Sequence, residues 1–392
     1  MSSLPAIDEA LALVLARARP LAAEDVPVAR AAGRVVAEQS LAVTDLPPFD
    51  SSAMDGYAVR AVDTPGRLTV VGHSAAGKPA VRALGAGEAI VISTGAVVPD
   101  GADAVVPVER TSGDVEVEGV SPGENVRPRG GDVRTGEVIV ERGDLLRSAQ
   151  LGALAAAGIV MVRCTRRPRV SVLATGSELR VPGEQLAPGE IYESNTVMLA
   201  AQLESAGAEV TVLHSVGDDE GATRAALERG LGSDVLITSG GVSVGPHDLV
   251  RGALAELGAE EVFWRVAVKP GKPIAFAVRN AALVFGLPGN PVSSLVGFEL
   301  FVRPALRALQ GAREPGPAYL PGRLGAAVHR NEHRDELLRA RARIEEGGVV
   351  LEPLTGQESH MIVRSAAASA LVLVPRGAGT MRAGTQVSYL QI

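Results

Sequence analysis

Between Arg169 and about Gly311 short apolar runs alternate with helical stretches, and this alternation limits the possible folds more than any other feature of the chain. Apolar runs at 170–174, 210–213, 235–238, 262–268, 274–278 and 283–287 predict strands. Stretches at 195–206, 222–231 and 246–257 predict helices, and a further long helix begins at Pro291, a residue favoured in a helix's first turn. Alternation of this kind predicts a mostly parallel sheet covered by helices, a three-layer α/β domain.

With 392 residues the chain is too long for one core. Residues 7–18 predict a helix with Ile7, Leu11, Val14 and Leu15 on one face and acids in its first turn, and a second helical stretch is expected over 22–36. From about 41 to 141 short β-rich runs (68–71, 89–92, 104–108) alternate with Gly and Pro, as in a small inserted β domain. A helix is expected from Ser148, as N-cap, to Ala157, stopped by Gly158 and packed back on the N-terminal helices. The tail is β-rich, with 339–344 and 349–354 flanking the Glu346-Gly-Gly348 turn, and suits a small barrel or sandwich. The expected class is therefore α/β and β multidomain: residues 1–44 plus 138–168 a discontinuous helical domain, 45–137 the inserted β domain, 169–315 the α/β domain, and 316–392 a small β-barrel-like domain.

The net charge is −7 and no basic stripe is visible, so nucleic acid is not expected as a partner. The longest apolar run, 151–162, is too short to span a bilayer, and Asp8 and Glu9 set the N-terminus apart from a signal peptide. A cytoplasmic location without membrane contact is expected. Cys164 is the only cysteine, which excludes an internal disulfide or a cysteine-held metal cluster and suits a structural role.

In the α/β region the polar, Gly-rich clusters fall just after predicted strands: Thr175-Gly-Ser-Glu178, Gly217-Asp-Asp219, Ser239-Gly-Gly-Val-Ser243 with His247-Asp248, Lys269-Pro-Gly-Lys272, and Leu287-Pro-Gly-Asn-Pro291. Open parallel sheets bind ligands at that edge. One such loop is ordinary turn chemistry, but five on one edge point to a site. Glu178, Asp218, Asp219 and Asp248 suit a hard divalent cation such as Mg²⁺ bridging to phosphate. Lysine occurs only at 78, 269 and 272, so two of three lysines share one loop, a pairing suited to an oxyanion. Ser239, Gly240, Gly241 and Ser243 offer backbone N–H groups and hydroxyls to a phosphate or a pterin edge. Neither a Walker A loop nor GxGxxG is present. The inserted domain has its own cluster, Pro47-Pro-Phe-Asp-Ser-Ser-Ala-Met-Asp-Gly-Tyr-Ala58, in which Asp50 and Asp55 flank small residues. Such a cluster could reach the sheet edge by folding over it or through a partner subunit. The histidines lack metal-ligand spacing, and no role is assigned to them.

The Pro47–Ala58 phrase resembles the signature of the molybdopterin molybdenumtransferases, the family that includes the gephyrin E domain. Thr94-Gly-Ala, Gly101-Ala-Asp-Ala-Val-Val106, Gly130-Gly-Asp132, Ser239-Gly-Gly-Val-Ser-Val-Gly245, Lys269-Pro-Gly-Lys-Pro273 and Leu287-Pro-Gly-Asn-Pro-Val-Ser293 match further, in the same order along the chain. The resemblance implies a four-part protomer in an elongated homodimer with its active cleft between subunits. It implies that adenylylated molybdopterin and molybdate react with a divalent cation to give molybdenum cofactor and AMP. Carried over by motif, Asp55, Thr94 and Asp132 belong to the inserted domain's part of the site, and Glu178, Asp218 and Asp248 to its acidic, metal-holding part. Lys269, Lys272, Pro288, Pro291 and Ser293 match the anion-handling loops, with Arg334 and Ser359 of the tail on positions used for molybdate. The upstream adenylyltransferase and molybdoenzyme chaperones are implied partners. A tungstate-selective insertase, a divergent paralogue, the adenylyltransferase itself, whose fold resembles the α/β domain, and a non-catalytic scaffold stand as alternatives.

Overall fold

The structure, a computed structural model, describes residues 4–112, 115–217, 219–241 and 249–392. Its centre is a six-stranded sheet in the spatial order Glu209–Val212, Arg169–Ala174, Val235–Ser239, Ala282–Leu287, Ala275–Arg279, Glu260–Trp264. The first four strands run parallel, and Ala275–Arg279 is antiparallel to both its neighbours, so that Glu260–Trp264 shares the direction of the first four, a mostly parallel sheet as the alternation requires. The expected strand over 262–268 is two strands. It breaks after Trp264, where Arg265 takes a left-handed φ of 76°, and Val268–Lys269 leaves the sheet to pair with the tail strand Asp335–Glu345.

One face of the sheet packs on a continuous helical segment made of Pro291–Gly297, a π turn at Phe298–Val302, and Arg303–Leu309. The π turn widens the helix just before Pro304, which has no N–H to donate, so the wide turn absorbs the missing backbone bond. All five π-turn residues are buried. The helix Ile7–Leu15 buries Ile7, Ala10 and Val14 in this same core, which also takes Leu337, Leu371 and Leu390 from the tail. Its apolar stripe therefore closes the α/β domain instead of lying against residues 138–168. The opposite sheet face is covered by helices Glu220–Gly230 and Leu249–Glu256.

The helix expected over 22–36 is absent. Residues Ala23–Pro27 form a strand paired with Met161–Thr165, followed by a 3₁₀ turn at Val28–Arg30. Pro27 opposes a helix interior and is tolerated in an edge strand. The helix Ser148–Ala156 takes Arg147 as its N-cap, whose N–H donates to Gln150 Oε1 at 3.2 Å. It packs through Leu154 on Val28, Ala31, Val162 and Cys164, not on the helix Ile7–Leu15. Cys164 is fully buried, and burial pushes its thiol pKa up, as befits a packing residue.

In the inserted region a four-stranded sheet (Thr69–Ser74, Glu88–Ile92, Gly56–Val59, Ala104–Pro107) carries a small core on each face. In the tail, strands Asp335–Glu345, Gly348–Pro353, Leu320–Leu324, Gln386–Gln391 and Ala370–Val374 pair in turn, and the last returns to the first. The tail is thus a closed five-stranded barrel, which removes every free edge among those strands.

Several contacts fix the N-terminal layer to the α/β domain. The N–H of Leu21 donates to Leu309 O at 2.8 Å, and Arg166 donates both Nη atoms to Asp234 at 2.7 Å each. Burial raises the Asp234 pKa, but Arg166 and the Arg169 N–H outweigh it and hold the carboxyl below its usual range. A depressed carboxyl pKa stabilises the fold above the unfolded-state value, about 4, and that stabilisation is lost as pH falls through the folded value. Asp234→Asn should cost about 2 kcal/mol at neutral pH. In urea unfolding, its deficit against wild type should shrink steadily below about pH 4; a deficit independent of pH would refute this account.

Candidate active site

The strand Arg169–Ala174 feeds, through the helix Asn195–Ser205, an edge strand on one side, while Val235–Ser239 lies on its other side. The loops after these two strands therefore leave in opposite directions, and the crevice between them is the sheet's switch point. The loops also touch. Gly240 has φ +90°, and a Cβ there would lie 2.6 Å from Thr175 O, so only glycine permits the approach.

A cavity of about 680 Å³ opens at this point, within the usual size of small-molecule sites. Glu178, Gly217, Ser239, Gly240, Gly241, Pro288 and Pro291 line it together, so four of the motif loops converge as their positions after strands predict. Asp218, Ser243, His247 and Asp248 lie outside the described residues. Asp219 accepts the N–H of Ala222 at 2.6 Å and caps its helix, a structural duty that the sequence had left undivided from metal binding. Ser293 is buried in the first turn of the helix from Pro291, and its N–H donates to Asn290 O at 3.0 Å.

Asn195 was not singled out by its sequence context, yet it ties the crevice together. Its Nδ2 donates to Ser239 Oγ at 2.8 Å and to Gly289 O at 2.7 Å, and its buried Oδ1 has no partner. A further wall comes from the barrel domain. Ser359 Oγ accepts from Asn290 Nδ2 at 2.9 Å and its carbonyl accepts from Val292 N at 3.1 Å, which brings His360 and Ile362 into the cavity lining. His360, given no role from sequence, thus faces the site.

The loop bearing Ser359 is organised by a fully buried arginine, Arg339. Its Nη1 donates to Met361 O at 2.6 Å and Ser365 Oγ at 2.9 Å, and its Nη2 to Gly356 O at 2.6 Å and Glu358 O at 3.3 Å. Burial lowers its pKa. Arg334, the residue suggested by motif, is half-buried, and its N–H donates to Asn331 Oδ1 at 2.9 Å. Arg339 escapes a sequence reading because Arg339, Arg341 and Arg343 share one phase of an alternating strand, which reads as its solvent face.

The two lysines have different surroundings. Lys269 Nζ lies 3.0 Å from the carboxylate of Glu336, a buried barrel residue. Lys272 is exposed in the loop just before Pro273, which lines the cavity, and its carbonyl accepts from Val266 N. Lys272 is therefore the lysine whose charge stands without a counter-ion among the described residues.

The inserted domain builds a separate cluster. Asp55 Oδ1 accepts the Thr94 N–H at 2.7 Å, Asp50 Oδ1 accepts the Arg129 N–H at 2.7 Å, and the Asp132 N–H donates to Leu46 O at 2.9 Å. The Thr135 N–H, then its hydroxyl, then Arg129 hold the Asp45 carboxyl at about 2. Gly56 is fixed by contact, since a Cβ there would lie 2.0 Å from Val106 O. Asp55 and Thr94 are thus joined directly while Asp132 is tied to Leu46, and none of the three lines the switch-point cavity.

Three family models account for most of the chain: the MoeA N-terminal region (domains I and II) over residues 6–158, a probable molybdopterin binding domain over 171–308, and the MoeA C-terminal region (domain IV) over 321–392. A Mycobacterium tuberculosis protein named molybdopterin molybdenumtransferase 2 is 38% identical over 381 residues, 92% of this chain and 93% of that one. A Staphylococcus aureus molybdopterin molybdenumtransferase is 32% identical over 402 residues, 98% and 94% of the two chains. The crystal structure of a molybdopterin biosynthesis protein of Pyrococcus horikoshii superposes with a TM-score of 0.85 at 30% identity, covering 100% of each chain. The fold and site define a multidomain α/β protein with its cavity at a sheet switch point. The chain belongs to the molybdopterin molybdenumtransferase family, and so to the transferases of molybdenum cofactor biosynthesis.

Arg339→Leu should leave the loop over 354–365 unanchored. The variant should lose about 2–3 kcal/mol and be cut by trypsin within that loop under native conditions, as read by mass spectrometry. A native-like digestion pattern would show that the loop holds itself.

Proposed function

We propose that the chain is a molybdenum insertase, which transfers molybdate to the dithiolene of adenylylated molybdopterin and releases AMP. The carrying observation is the switch-point cavity, where Glu178, the Ser239–Gly241 turn, the Pro288–Pro291 loop and the Ser359 loop meet. Three anionic species must share that space, so the chain has to supply compensating charge and donors locally, against a net charge of −7. Lys272, next to the cavity-lining Pro273, and the Ser239 turn would receive oxyanion charge, and the tail loop with Ser359 closes the cavity from the barrel side. Holding molybdate beside the dithiolene gives an advantage from proximity. The described residues show no paired nucleophile and base in the cavity, and the reaction needs none.

A divalent cation fits the donor set. The Glu178 carboxylate has no hydrogen-bond or ion-pair partner among the described residues, its carbonyl alone accepting from Ile191 N, and the hydroxyl and carbonyl oxygens around it are hard ligands. With Asp218 and Asp248, outside the described residues, Glu178 would hold Mg²⁺; among the described residues alone no group of three His, Cys, Asp or Glu side chains stands close enough. Bound Mg²⁺ would neutralise phosphate charge on the leaving adenylate.

Asp55, Thr94 and Asp132 complete this reading by facing the cavity of a second copy. That arrangement makes a homodimer the working unit. No helix of the described residues is long and apolar enough to cross a membrane.

The test mixes purified protein with adenylylated molybdopterin and Mg²⁺ and follows AMP with and without molybdate. Molybdate-dependent AMP release with recovery of active cofactor is expected. Release with tungstate alone would make the chain a tungstate enzyme, and pterin binding with no AMP under either oxyanion would leave a scaffold. Lys272→Ala should fold with stability within about 0.5 kcal/mol of wild type, and Asp55→Ala, which loses the Thr94 N–H bond, should fold at a cost of about 1.5 kcal/mol, yet neither should form cofactor. If two subunits build each site, co-refolding the two inactive variants should restore about a quarter of wild-type activity through mixed dimers; no recovery would place both residues in one subunit's site.

A further inference from the structure

A second large cleft, of about 700 Å³, lies between the N-terminal layer and the C-terminal end of the long helix, and the proposed reaction does not use it. Five arginines line it, Arg147, Arg167, Arg303, Arg307 and Arg313, against the acids Asp144, Glu204 and Glu314. Two of the five are already neutralised. Arg303 holds Glu299 through Nε at 2.6 Å and Nη2 at 2.9 Å, and Arg313 holds Glu141 at 2.6 Å and Asp144 at 3.1 Å.

The other three pair with no carboxylate among the described residues. Among the described residues Arg167 donates only to Gly207 O, at 3.0 Å, and the Arg147 guanidinium donates no hydrogen bond. Arg307 is half-buried and donates a single bond, to Gly316 O at 3.2 Å, although a guanidinium carries five N–H donors. Burial first, then the like charges of Arg303 and Arg147, push its pKa down, with only the shared Glu299 opposing. Withdrawing a cation from water among like charges is costly unless an anion completes the cluster. Guanidinium forks match the oxygens of phosphate groups in particular.

We propose that this cleft is a second anion site, distinct from the switch-point cavity, which takes a phosphate or diphosphate group between Arg147, Arg167 and Arg307. The long helix runs from Pro291, in the lining of the first cavity, to Gln310, in the lining of the second. An anion bound here therefore seats against the far end of the element that carries the catalytic cavity's wall.

Pyrophosphate serves as the probe, and phenylglyoxal labelling with peptide mass mapping as the site-resolved readout, at ionic strength held constant with KCl. Arg147 and Arg307 should label in the free protein, and pyrophosphate at ten times its dissociation constant should slow that labelling about tenfold. The protection should persist in Lys272→Ala, where the switch-point cavity is weakened, and calorimetry in that background should lose binding when Arg147→Gln and Arg307→Gln are added. Arg307→Gln alone should melt no lower than wild type without anion, since it removes like-charge repulsion. Protection matched by KCl, or lost in Lys272→Ala, would overturn the proposal. So would arginines unreactive before any anion is added in a dimeric protein, because the cleft would then be covered by a second copy. Failure here leaves the insertase reading standing, since AMP release is measured separately.

Discussion

The helical segment from Pro291 to Leu309 is the element on which the remaining parts depend. At about 1.5 Å per residue it spans nearly 28 Å, and each end does different work. Its first turn receives the barrel's Ser359 loop at Asn290 and Val292, its middle fills the main core with Phe298 and Phe301, and its last carbonyls meet Leu21. The helix Ile7–Leu15 and the barrel residues Leu337, Leu371 and Leu390 pack into that same core. Three sequence-distant parts are therefore held in one geometry by a single buried surface, and a shift of this helix would move the cavity wall and the N-terminal layer together.

The cavity itself depends on close backbone approach more than on packing. Gly240 lets the Ser239 turn lie against Thr175, and Asn195 then bridges that turn to Gly289 with both amide hydrogens. Because Gly289 offers a carbonyl, the atom facing it must be Nδ2, which leaves Oδ1 as a buried acceptor. A buried polar atom without a partner is costly, and such atoms concentrate where a ligand supplies the missing bond. The rigidity of the crevice and its unmet hydrogen-bonding capacity thus arise from the same side chain.

The α/β domain was legible because its signals are local and periodic: apolar runs set the strands, and the Gly-rich loops after them fall on one edge by topology alone. Convergence of Glu178, the Ser239 turn and the Pro288–Pro291 loop follows from that. Other features depend on partners that a sequence does not display. Residues 22–36 look helical, but Met161–Thr165 offers Ala23–Pro27 a strand partner, and Pro27 tips the balance. The stretch over 262–268 looks like one strand, but the barrel strand Asp335–Glu345 draws Val268–Lys269 out of the sheet. Arg339 looks like a solvent-facing residue until the loop over 354–365 folds over it.

Arg339 also shows what a buried charge can be for. Among the described residues no carboxylate is in contact with it, and its bonds go to two backbone carbonyls, a third and longer carbonyl contact, and a serine hydroxyl, while Nε stays unpaired. An apolar side chain of similar volume would avoid the desolvation cost but would leave these carbonyls without donors. A guanidinium does something a leucine cannot: in one plane it gathers Gly356, Glu358 and Met361, residues on both sides of Ser359 and His360. The positive charge is spent on fixing the shape of the loop that closes the cavity, which makes Arg339 a residue of the site although it never reaches the cavity's lining.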